Sequence, residues 1–225
     1  VYADGALGSR GAALKNPYSD LKSHKGIFIT SKDSLQKLAY RLAASPFQMN
    51  THAIGDDANK AVLDAYKKAL VFSDDPRWRI EHAQIIDTVD IKLFNRKIIP
   101  SIQPTHATSD MYWAEERLGE NRLLGAYAYN DLLKRSGRIA LGTDFPVEEV
   151  SPLNTFYAAI ARKDSNQFPE EGFLFQNKLS RMDALKGMTL WGAYANFEES
   201  EKGSIEVGKF ADFIIMDRDI LDVSE

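Results

Sequence analysis

The chain has no cysteine among its 225 residues. Disulfide frameworks, thiolate metal sites and cysteine nucleophiles are thereby excluded, and any metal must be held by nitrogen or oxygen donors. Histidine is scarce too, with four in the whole sequence. No apolar run reaches the ~18 residues that would suggest a membrane span. There is no cationic stripe either. Lys and Arg number 28 against 32 Asp and Glu, a net charge of −4 with both signs interspersed, which is unlike the clustered basic footprint of a nucleic-acid-binding surface. The first residues carry no leader pattern, so the expected location is the cytoplasm. What is present is ordinary: 44% hydrophobic and 27% charged residues, the balance of a globular domain.

Short apolar runs alternate with longer amphipathic stretches, the mark of repeated βα units and a mainly parallel sheet. Strands are expected near Val1–Ala3, Phe47–Thr51, Arg79–His82, Ile98–Ile102 and Arg138–Leu141. Helices are expected over Ser31–Ala44, Asp57–Phe72, Thr88–Lys97, Tyr127–Ser136, Pro152–Arg162 and Arg181–Tyr194. Lys163–Lys178 reads as a long surface loop, and Phe213–Met216 as a strand in a tail bracketed by Gly203 and Gly208. Five strands at βα spacing fall short of the eight of a closed (β/α)₈ barrel, which takes ~250 residues. The fold is therefore either an open sheet or a barrel lacking its N-terminal part.

Three of the four histidines stand where a strand gives way to a loop. They are His52 in Thr51-His52-Ala53-Ile54-Gly55-Asp56, His82 after Arg79-Ile80-Glu81, and His106 after Gln103-Pro104-Thr105. Asp144, in Gly142-Thr143-Asp144-Phe145-Pro146, occupies the same kind of place. In parallel α/β folds the C-terminal strand ends form the active-site rim. His52 and His82 are 30 residues apart, about one βα unit, and Asp144 lies 62 residues further on, about two. Neighbouring strands run ~4.8 Å apart, so side chains from such ends can converge on one divalent cation. Neutral His and ionised Asp are good ligands for zinc-like metals. Asp144 has a second use as a base that moves a proton. The plainer readings stand beside these. A lone His at a strand end is more often structural, and Asp4 and Arg10 fit ordinary turn chemistry. Asp56 and Asp57 suit a helix start, and His24 sits in the charged run Lys22-Ser23-His24-Lys25 as a surface residue.

At these motifs the sequence resembles the amidohydrolase superfamily, in its YtcJ-like (amidohydrolase-3) branch. The resemblance runs in order over nearly the whole chain, through Asp4-Gly5-Ala6-Leu7-Gly8-Ser9-Arg10, Thr51–Asp56, Arg79–Gln84, Gln103–His106 and Gly142–Val147. A sixth segment, Gly203–Asp212, resembles the C-terminal strand pair of many amidohydrolases. The resemblance implies an α/β fold: an incomplete TIM barrel, about strands four to eight, over residues 1–198. Residues 199–225 would then form the C-terminal strands of a small flanking β-sandwich. It implies that His52, His82 and Asp144 bind a divalent metal, zinc by expectation. Asp144 would also shuttle the proton, and His106 would contact substrate or oxyanion. Arg10 and Asp4 would face the substrate. The reaction implied is hydrolysis of a C–N bond in an amide or cyclic amide of a small molecule.

The family's His-x-His pair on strand one is absent, as is a bridging Lys near Val1. The expectation is that an N-terminal part of the same protein is the chain's missing partner, and that the chain alone is inactive. Unpaired sheet edges would favour a homo-oligomer. The alternative is a non-enzymatic regulatory or binding protein on the same scaffold.

Overall fold

In the computed structural model, which describes residues 1–224, the chain begins as a loop. The strand expected at Val1–Ala3 is reduced to a single parallel bridge between Tyr2 and His52. Helix α1 (Lys32–Ala43) follows, with Ser31 Oγ accepting from the Ser34 N–H at 3.2 Å, the cap expected of a serine there. Its spacing buries Leu35 and Ala39, and this face packs on helix α2. Strand β1 (Asn50–Ala53) starts three residues later than the sequence suggests. Pairing with the next strand begins only at Asn50, opposite Arg79, and Phe47 stays exposed.

Helix α2 (Asp56–Ala69) has no side-chain cap. Its first turn donates instead to a backbone carbonyl, Ala13 O, from Asp57 N at 3.1 Å and Ala58 N at 3.3 Å. Strand β2 (Trp78–His82) leads to a single 3₁₀ turn, Ile91–Leu93, and then to strand β3 (Ile98–Ile102). The helix expected over Thr88–Lys97 is no more than that turn. Ile91 and Phe94, three residues apart, are both buried by it, and a 3₁₀ turn repeats at that spacing. Pro100 lies inside β3 opposite Ile80, while pairing with strand β4 starts one residue later, at Ser101. A residue without an N–H is tolerated where the ladder is incomplete.

Helix α3 (Pro104–Asp110) springs directly from β3. Pro104 therefore opens a helix as well as stopping a strand, the first-turn position being where a missing N–H costs nothing. Two short helices, α4 (Ala114–Leu118) and α5 (Glu120–Leu123), precede α6 (Tyr129–Ser136), which closes on Gly137 at φ +75°. Strand β4 (Ala140–Leu141), helix α7 (Pro152–Ala161), a 3₁₀ turn at Phe175–Asn177, and helices α8 (Arg181–Met188) and α9 (Leu190–Ala195) complete the order. The single helix expected over Arg181–Tyr194 is broken at Thr189, whose φ of −125° and ψ of −91° lie outside the helical region.

The four strands form one parallel sheet in the order β1-β2-β3-β4. This is α/β architecture consistent with part of a barrel. The strand expected at Phe213–Met216 is not formed, and no strand is assigned among the described residues after β4. A strand is stabilised by a ladder partner, and none runs beside this segment. Ile205, Val207, Phe213, Ile214 and Ile215 are consequently exposed. The flanking sandwich is thus absent from the described residues.

Candidate metal and hydrolytic centre

Register sets the site. His52 lies opposite Glu81 and Ala53 opposite His82, so the two imidazoles leave neighbouring strands one step apart. Their rings meet edge-on with centroids 4.6 Å apart. At the end of β2 the backbone turns left-handed, with φ of 72° at His82 and 43° at Ala83. Asp144, after β4, also has a positive φ, 59°. Non-glycine residues hold that region only when the surroundings impose it, and such strain gathers at functional sites. His106, on the first turn of α3, stacks on His82 with centroids 5.8 Å apart.

His82, His106 and Asp144 each offer a donor atom, and these atoms lie within 4.8 Å of one another. His106 Nε2 is 3.5 Å from Asp144 Oδ2. The rear of each imidazole faces an oxygen. His82 Nδ1 donates to Gln103 Oε1 at 2.9 Å, and His106 Nδ1 donates to Glu148 Oε1 at 2.8 Å. Glu148 also accepts from Ser109 Oγ at 2.6 Å. His52 Nδ1 is 3.3 Å from Asp4 Oδ1 but lacks hydrogen-bond geometry and has no other partner. An imidazole whose Nδ1–H is fixed by an oxygen keeps its Nε2 lone pair for a cation, the usual arrangement behind metal-binding histidines. All donors are nitrogen or oxygen, and the set fits a divalent metal.

The two inner histidines have opposite proton affinities. Burial, with the neighbouring imidazoles of His52 and His106, pulls His82 down to about 4. His82 is therefore neutral near pH 7 and its lone pair is free. Burial also acts to lower His106, but the hydrogen bond to Glu148 and the charges of Asp110, Glu148 and Asp144 outweigh it, and the net shift is upward.

These groups line an open cleft of about 740 Å³. Neither Asp4 nor Arg10 lines it, which corrects the expectation that they face substrate. Asp4 is fully buried and accepts from Ala13 N at 2.9 Å, Ile54 N at 3.0 Å and Gly55 N at 2.8 Å. Arg10 turns to Asp20, with Nη2 2.7 Å from Oδ2, and Arg117 shares that carboxylate. His24, read as a surface residue, is half-buried outside the cleft, stacked on Tyr18 with centroids 5.9 Å apart and with Nε2 2.8 Å from Arg10 O. Gln84, Gln103, Asp110 and Glu148 do line the cleft and were not singled out by sequence. Reading Gln103–Asp110 as helix would have found Asp110, four residues after His106 and so on the same face.

The whole of residues 1–225 matches the model of an amidohydrolase family. The putative amidohydrolase YtcJ of Bacillus subtilis (strain 168) is 33% identical over 220 residues, 97% of this chain and 41% of the relative. The N-substituted formamide deformylase of Arthrobacter pascens is 29% identical, over 99% of this chain and 41% of its own. The crystal structure of an uncharacterized metal-dependent hydrolase from Pyrococcus horikoshii OT3 superposes with a TM-score of 0.84 at 31% identity, covering 99% of this chain and 44% of that one. The chain thus spans about two fifths of the length of the curated relatives it matches. A parallel sheet with imidazoles and a carboxylate gathered at its C-terminal rim, and a sequence match running from end to end, lead to one conclusion: the chain belongs to the amidohydrolase family.

Proposed function

We propose that the protein containing this chain is a metal-dependent hydrolase that cleaves the C–N bond of an amide. The observation that carries this reading is the convergence of His82, His106 and Asp144 at one strand-end rim, with oxygen acceptors behind both imidazoles. His82 and Asp144 would hold the cation together with His52, which lies outside the closely converging group but packs its ring 4.6 Å from that of His82, while His106, raised in proton affinity, is left for the substrate; the donors suit zinc. A divalent ion in such a set supplies Lewis acidity and makes water a better nucleophile near neutral pH.

The residues of this chain do the rest. Asp144 accepts the proton of the attacking water and delivers it to the departing nitrogen. His106 has raised proton affinity and a carboxylate behind it, and donates to the substrate carbonyl oxygen as negative charge develops there. His82, kept neutral by burial, is suited to a ligand and not to a proton carrier. The Arthrobacter pascens relative is an N-substituted formamide deformylase, which supports the choice of an amide C–N bond.

The test separates the two histidines. In the full-length protein, His82→Ala should lose bound metal, read by elemental analysis, together with hydrolysis of an N-alkylformamide. His106→Ala should keep its metal and lose about 10²-fold in kcat, the magnitude of deleting one oxyanion donor. Metal content unchanged in His82→Ala would overturn the ligand assignment, and full activity in His106→Ala would overturn the donor role.

A further inference from the structure

Asp110 is a half-buried carboxylate on the wall of the cleft. It stands four residues after His106 on α3. Gln84 Nε2 donates to its Oδ2 at 2.8 Å and Tyr127 Oη donates to the same oxygen at 2.7 Å. Both partners are neutral, and both are buried. They hold the group in place without balancing its charge. Both bonds go to Oδ2, so Oδ1 is left for the cleft.

The other acidic residues of the wall are already matched. Glu148 is bonded to His106 and Ser109. Glu81 is bonded to Arg79 Nε at 2.9 Å. Asp144 belongs to the donor set. No Lys or Arg is among the described residues that line the cleft, and the nearest basic side chain acting on Asp110, His106, is held by Glu148. A half-buried carboxylate whose hydrogen-bond donors are both neutral is the chemistry that recognises an ammonium group. A carboxylate desolvated without a counter-charge is costly, and burial pushes Asp110 up to about 6; a bound cation would offset that cost.

We propose that Asp110, positioned by Gln84 and Tyr127, is a specificity residue that binds a cationic amine group of the substrate on the cleft wall one helical turn beyond His106. This rests on the hydrolase reading above, and names its substrate class as amides that carry a second, protonated nitrogen. No covalent step is involved at Asp110. Its task is to fix the distal end, so that the amide carbon meets His106 and Asp144.

The test uses a probe that cannot ligate a metal. Binding of tetramethylammonium to the full-length, metal-loaded protein is measured by calorimetry beside its neutral counterpart, tert-butanol. The expected result is preference for the cation, weakened at least tenfold in Asp110→Asn and retained in Asp110→Glu. Circular dichroism and metal content of each variant show whether it has folded. If Asp110→Asn does not fold, Asp110→Ser is read instead, and the same loss of cation preference is expected. Equal binding of cation and alcohol by the unaltered protein would overturn the proposal, as would undiminished cation binding in Asp110→Asn. A second arm compares kcat/KM for N-(4-aminobutyl)formamide with that for N-pentylformamide. The charged substrate should be favoured, and Asp110→Asn should remove the preference mainly through KM. Turnover of neither amide would count against the hydrolase reading, while the binding arm would still decide the role of Asp110.

Discussion

Asp4 ties the loop behind the site together without lining the cleft. Its two carboxylate oxygens take three backbone N–H groups, from Ala13, Ile54 and Gly55, in a position with no exposure. They tie the N-terminal loop to the end of β1, the strand that carries His52. The Oδ1 atom also lies 3.3 Å from His52 Nδ1. Replacing Asp4 with Ala strands three buried donors, each costing ~1–3 kcal/mol when left without an acceptor. Asp4→Ala should therefore destabilise the fold by about 3 kcal/mol or more, measured by urea unfolding. A loss below about 1 kcal/mol would show that water or a rearranged loop satisfies those donors. Sequence marked Asp4 as part of a Gly-rich segment but not its direction. An Asp in such a loop looks the same whether it faces ligand or backbone. Arg10 is the parallel case, since its partner Asp20 follows only ten residues later and nothing in the local pattern marks the pairing.

At the scale of elements, the junction between β1 and α2 is tightly packed. A Cβ on Gly55 would fall 2.0 Å from Ala13 O and 2.5 Å from Ala13 C. That same carbonyl accepts from Asp57 and Ala58 at the start of α2, so the loop cannot retreat without uncapping the helix. Gly55→Ala should cost on the order of 1–3 kcal/mol, the usual range for forced overpacking, read as a lowered Tm. An unchanged Tm would mean that the loop over Gly55 has slack.

The parallel sheet was legible because its strands carry β-branched and apolar runs at βα spacing. The convergence of His82 and Asp144 was legible because strand ends in such sheets share a rim. Three features were not. Helix α3 was hidden because a proline after a strand, here Pro104, marks a stop as readily as a helix start, and with it went Asp110. The 3₁₀ turn at Ile91–Leu93 was read as a longer helix because its apolar spacing fits the first turn of either. The tail read as a strand because Phe213–Met216 has strand composition, whereas a strand forms only where a neighbour supplies the ladder.

On the scale of the whole molecule, that tail is the largest departure from the apolar-inside rule. Ile205, Val207, Ile214 and Ile215 are each at least 80% exposed. The segment is attached at few points, among them Phe210 N to Glu201 O at 2.8 Å and Arg181 Nη1 to Ile220 O at 2.8 Å. Contiguous apolar surface of this kind drives association. The isolated chain should therefore self-associate with rising concentration, as seen by light scattering. Replacing Ile214 and Ile215 with Ser should reduce the association while leaving the far-ultraviolet spectrum unchanged. A monomer at all concentrations would show that the tail folds back in solution.

The three imidazoles at positions 52, 82 and 106 touch in series, with His82 in the middle. Groups in contact do not lose their contributions independently. Whatever each ring does for the chemistry, removing the central one alters the packing and the charge felt by both its neighbours. Alanine variants made one at a time would assign the same energy more than once, and only pairwise cycles across the row would divide it among its members.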